Sequence, residues 1–128
     1  MRDPRPGLSW SRGRVLCRQR YETWMASRSW LEQRRRWREA FVAVHRVEPS
    51  CAVCGTPWTL GHGDLHHRSY DRLGRERVGD LVPLCRSCHG RVHQILESTP
   101  SWRRIARSQA SDEIVGRLRA RAGRDEIR

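Results

Sequence analysis

The chain has 128 residues and a net charge of +12, enough for one small domain with tails and too basic for a cationic partner, so a polyanion is expected. Hydrophobic residues make up 37% and charged residues 31%, and all 26 basic residues are Arg, with Lys and Asn both absent, a depletion that points to compositional bias rather than to binding alone. No apolar run is long enough to span a bilayer and no apolar signal-peptide core opens the chain, so a protein without a membrane, in the cytoplasm, is expected.

Residues 1–20 set Pro4, Pro6, Gly7 and Gly13 among Arg and Ser, which predicts a disordered basic arm. Over residues 21–47, Tyr21, Trp24, Met25, Trp30, Leu31, Trp37, Phe41, Val44 and Val47 recur at helical intervals, predicting a helical lead-in broken near Ser27 and Ser29. Arg34, Arg35, Arg36 and Arg38 fall on its polar side, where a solvated face and a phosphate-contacting face are equally good readings. Glu48 and Pro49 end the helix.

Cys51 and Cys54, with Gly55 supplying a tight turn, form one Cys-x-x-Cys knuckle, and Cys85 and Cys88 form a second. Four thiols at this double spacing suit a closed, tetrahedral structural zinc in a reducing compartment; Cys17 stands apart and is given no role. Thirty residues separate Cys54 from Cys85, more than a zinc ribbon needs, so a unit is inserted between the knuckles. Within it, residues 65–68 and 81–84 read as strands, with residues 71–80, including Gly74 and Gly79, as the loop between them. Val92, Ile95 and Leu96 predict a helix over residues 89–96, stopped by Ser98, Thr99 and Pro100. The tail, residues 98–128, carries Trp102 and Ile105, then Ile114, Val115 and Leu118 on an amphipathic helix beginning at Ser111.

Adjacent residues on a strand point to opposite faces, so His66 and His67 cannot both serve one ion without distortion and should divide the work. His89 and His93, four apart on a predicted helix, share a face, a spacing at which helices offer two imidazoles to one cation. A neutral imidazole with a pKa of about 6.5 also suits proton abstraction at neutral pH.

The run Asp64, Leu65, His66, His67, Arg68 and Tyr70, followed by Gly74 and Glu76, then Asp80, Leu81, Val82, Pro83, Leu84 and Cys85, and finally Cys88, His89 and His93, resembles the HNH endonucleases of the His-Me finger group. The match covers residues 50–95, and residues 21–38 look like the helical lead-in of bacterial and phage members. The resemblance implies an α+β class: a zinc-stabilised ββα-metal core over residues 48–97 between the N-terminal lead-in and a C-terminal helix. It implies that His67 is the general base and that His66 is a ligand of a catalytic divalent ion (magnesium, manganese, nickel or zinc). His89 and His93 would complete that site, apart from the structural zinc on Cys51, Cys54, Cys85 and Cys88. Where the family has an Asn that braces the loop and orients the base, this chain has Asp80, which can accept the same hydrogen bond or reach the metal.

The function implied is metal-dependent hydrolysis of DNA phosphodiester bonds with low sequence specificity, in a bacterial host or phage-infected cell. Arg68, Arg72, Arg75 and Arg77 flank the site as candidates for the DNA backbone, each equally readable as a solvated residue. Tyr70 is read as packing within the loop or orienting substrate. His45 and His62 are read as surface residues, and Trp10, Trp24, Trp30, Trp37, Trp58 and Trp102 as core, with base stacking the alternative. A non-catalytic zinc-stabilised nucleic-acid-binding module is the competing function: it accounts for the charge and the knuckles but leaves the order of the histidines unexplained.

Overall fold

The computed structural model describes residues 22–23 and 27–127. The basic arm expected over residues 1–20, and Tyr21, Trp24 and Met25 of the lead-in, lie outside the described residues.

Helix α1 spans Arg28–His45. Ser27 caps it, its side-chain oxygen accepting the Trp30 N–H at 3.1 Å and satisfying one of the donors that a helix start leaves unpaired. The break expected near Ser27 is thus the start of this helix. Arg46, in the left-handed region at φ 60°, donates its N–H to the Val42 carbonyl and closes the helix before Glu48 and Pro49 are reached. Val44, still inside the helix, and Val47, beyond its end, both expected on the apolar stripe, are exposed, whereas Trp30 and Trp37 are buried and Phe41 is partly so.

Strands β1 (Gly63–His67) and β2 (Leu81–Cys85) pair antiparallel, with His66 opposite Val82 and His67 opposite Leu81. The strand starts earlier than expected, and Arg68, placed at its end by the sequence pattern, lies just beyond it with its N–H on the Asp80 carbonyl at 2.8 Å. Alternation along the hairpin gives it two unlike faces. Leu65 and Leu81 pack with Trp30, Trp37 and Trp58. Leu84 packs with Cys51, Val53, Cys88, Val92, Ala110 and Ile114 on the other side. Burying a side chain the size of Leu84, which has no exposed surface, contributes about 1.5–3 kcal/mol.

The first knuckle docks on β2 through the Ala52 N–H, which donates to the Pro83 carbonyl at 2.9 Å. Its turn closes at Gly55, whose φ of 78° suits glycine and whose N–H reaches the Cys51 carbonyl at 2.9 Å. Helix α2 (Arg86–Ser98) grows directly out of the second knuckle, with the Cys85 sulfur accepting the Cys88 N–H at 3.4 Å as its cap. A 3-10 turn (Pro100–Arg104) leads to α3 (Arg107–Ile127), which begins one turn ahead of the expected Ser111 and packs on α2 through Ala110, Ile114 and Leu118. The described residues are thus mixed helix and two-stranded antiparallel sheet, in keeping with the α+β class. None of their helices is long and apolar enough to cross a membrane.

Candidate metal centre and the facing histidine

The two knuckles bring the sulfurs of Cys51, Cys54, Cys85 and Cys88 within 4.8 Å of one another. Cys54 and Cys85 are 3.8 Å apart at sulfur, far beyond a disulfide bond, and all four are free thiols. Burial opposes ionisation of Cys51, but backbone N–H groups of Cys54, Cys85 and Val53 outweigh it and bring the thiol down to about 7. Burial pushes Cys88 and Cys85 up. Four sulfurs so close, on two backbone turns that aim them inward, could hold a structural metal ion such as zinc.

A second cluster lies on the α2 side of β1, where ligating atoms of His66, His89 and His93 also fall within 4.8 Å of one another. His89 and His93, one turn apart on α2, turn their Nε2 atoms to each other at 3.0 Å. The other His89 nitrogen, Nδ1, is 3.0 Å from Asp64 Oδ2, and His66 Nε2 is 2.9 Å from Ser111 Oγ. Both outer bonds fix a ring and leave its other nitrogen without that partner, the arrangement by which second partners orient metal-bound imidazoles. His66 Nδ1, the nitrogen that Ser111 does not engage, is buried with no hydrogen-bond partner among the described residues. Burial above all, with the charge of Arg107 and the neighbouring imidazoles, pushes His66 down to about 2. Burial and His89 push His93 down to about 4. Three imidazoles gathered this closely fit a divalent cation.

His67 faces the other way, as strand alternation requires. Its ring stacks between Trp30 (centroids 5.2 Å apart) and Tyr70 (5.5 Å), and its Nε2 lies 2.9 Å from Glu76 Oε2. A carboxylate can only accept, so His67 donates from Nε2, which leaves Nδ1 as the basic nitrogen. The other Glu76 oxygen accepts the Gly74 N–H at 2.6 Å, and the Glu76 carbonyl accepts the Gln33 amide at 2.9 Å.

Asp80 braces the loop but does not supply the carboxylate on His67 Nε2. Arg72 grips both of its carboxylate oxygens and the Arg77 N–H donates to one of them at 2.8 Å, so that Arg72 holds the acid below the usual carboxylate range. The orienting bond expected of Asp80 is made by Glu76, which belongs to the sequence pattern but was given no role there. Ser111, read in the sequence only as a helix start, and Arg107, given no reading there, both come from the tail.

Of the arginines picked out for DNA, Arg68 forks onto Asp112 (2.8 and 2.7 Å) and reaches the Gly79 carbonyl, and Arg72 is engaged by Asp80. Arg75 and Arg77 are exposed on the loop. In α1, Arg34 is part of the architecture: its guanidinium donates to the carbonyls of Leu60 (2.9 Å) and Gly63 (2.6 Å) and lies over the Trp58 ring. Arg38 pairs with Glu48, and His45 and His62 are at the surface as expected. The chain matches no family model, no curated protein and no solved structure.

Proposed function

We propose that the chain is a metal-dependent phosphodiesterase of the HNH type that hydrolyses the DNA backbone. The observation that carries it is the division of the two neighbouring histidines: His66 joins His89 and His93 in a convergent triad, while His67 is held by Glu76 on the opposite face of the same strand. The thiol cluster stands apart and is left for folding. A net charge of +12 suits a polyanion.

His66, His89 and His93 would hold a divalent ion, which would supply Lewis-acid stabilisation of the charge that grows on the phosphoryl and leaving oxygens. Asp64 and Ser111 keep the His89 and His66 rings turned inward. Glu76 keeps Nδ1 of His67 as the base, and that atom takes the proton from water as the water oxygen bonds to phosphorus and the P–O3′ bond breaks, the departing O3′ taking a proton from solvent. The products are a 5′ phosphate and a 3′ hydroxyl. With few side chains available to base edges, sequence preference is low.

One observation favours the second reading, a zinc-stabilised nucleic-acid-binding module without catalysis: His67 is only 2% exposed beneath Trp30 and Tyr70. Cleavage of supercoiled plasmid by the zinc-loaded chain across added divalent ions, with His67→Ala and His67→Gln alongside, separates the two. Ion-dependent nicking that disappears in both variants, each folded by circular dichroism, upholds the nuclease. Wild-type protein that binds DNA and cleaves none under any ion is the binding module.

A further inference from the structure

Arg107 stands one turn before Ser111 on α3, so the two side chains share a face of that helix. Ser111 reaches the triad, with its Oγ 2.9 Å from His66 Nε2. Arg107 reaches the opposite side of the strand. Its guanidinium carbon lies 4.3 Å from the centre of the Tyr70 ring and it donates to the Tyr70 hydroxyl at 3.0 Å, while Tyr70 in turn stacks on His67. One face of α3 therefore bridges the triad and the facing histidine.

Arg107 differs from the arginines that the sequence pattern singled out. Arg68 and Arg72 are already paired with Asp112 and Asp80. Among the described residues, no carboxylate pairs with Arg107, and its buried Nε has no acceptor. A buried guanidinium N–H without an acceptor is a donor waiting for one. Ser111, one turn along the same face of α3, sets Arg107 beside the triad as well as beside Tyr70. Three imidazoles neutralise none of the charge of a divalent ion, Arg107 adds another positive charge beside them, and Asp64 on His89 offsets only one. Such a site calls for an anion with several acceptor oxygens, which the planar fork of a guanidinium matches.

We propose that Arg107 is the phosphate-binding residue of this site, its guanidinium taking a non-bridging oxygen of a phosphodiester lodged between the histidine triad and His67. This rests on the phosphodiesterase reading, and inorganic phosphate, which undergoes no cleavage, tests it apart from turnover. Calorimetric titration of phosphate into the zinc-loaded full chain is compared for wild type, Arg107→Gln and Arg107→Lys, with metal content and circular dichroism measured on each. Arg107→Gln is expected to weaken phosphate roughly 10- to 100-fold at unchanged metal content. Arg107→Lys, which keeps the charge and loses the fork, weakens it less and serves if the Gln variant does not fold. In plasmid cleavage both variants are expected to raise KM. Equal phosphate affinity in wild type and folded variants, or no phosphate binding by wild type, overturns the assignment even where plasmid is cleaved. Arg107-dependent phosphate binding by a protein that cleaves no DNA keeps the anion site and removes the phosphodiesterase.

Discussion

The His67 Nε2 atom lies 2.9 Å from Glu76 Oε2, with both side chains sealed from solvent. The same carboxylate takes the N–H of Gly74, whose φ of 91° lets the loop fold back, and the Glu76 carbonyl takes the Gln33 amide of α1. Glu76 therefore ties strand, loop and lead-in helix together at one point. Glu76→Ala strips an acceptor from buried donors and is expected to cost about 1–3 kcal/mol in urea denaturation. Glu76→Gln keeps an acceptor oxygen, so it should cost less while still losing cleavage. An unchanged urea midpoint in Glu76→Ala would show that the bond does not hold the loop.

Gly63 leaves room for nothing larger. A Cβ at that position would lie 2.2 Å from Trp58 Nε1, and Trp58 is 3% exposed with that nitrogen donating to the Asp64 carbonyl at 2.7 Å. The indole cannot swing aside without breaking that bond. Gly63→Ala is expected to cost about 1–3 kcal/mol through overpacking. Gly61→Ala, where nothing lies within 4 Å, is the matched control, and equal urea midpoints for the two variants would refute the clash.

What the sequence made legible was local. Cys-x-x-Cys spacing, the four-residue step from His89 to His93 and the alternation of His66 and His67 are each fixed by the geometry of one turn, one helix or one strand, and each survives into the structure. The partners that arrive from a distance were hidden. Ser111 meets His66 across 45 positions, and Glu76 meets His67 only because the loop doubles back at Gly74. Arg34 looked like one of a polar run, yet its place depends on where Leu60 and Gly63 present their carbonyls. Val47 kept the helical interval but lost the helix, because Arg46 turned left-handed, while Val44 stayed in the helix on its solvent side.

Cys88 sits in both the thiol cluster and the core formed with Val92 and Ile114. Serine is close to cysteine in size, so Cys88→Ser tests the sulfur rather than the space. The expected outcome is a chain unfolded by circular dichroism with the thiol-bound ion missing by atomic emission, since closed thiolate sites contribute folding free energy outright. A cooperative, native-like melt of Cys88→Ser without zinc would end the structural-metal assignment.

His89 can be removed with less damage, because it is only partly buried and lies outside both buried clusters. His89→Ala should keep the fold and the thiol-bound ion and lose the second ion together with plasmid cleavage. Asp64 orients that ring from its far nitrogen at 3.0 Å, so Asp64→Asn is expected to keep the ligand and weaken the second ion about 10- to 100-fold. Metal content by atomic emission, against a competing chelator, reads both variants on one scale. A second ion retained at wild-type affinity in His89→Ala would dissolve the triad, and retention in Asp64→Asn alone would confine Asp64 to an ordinary surface contact.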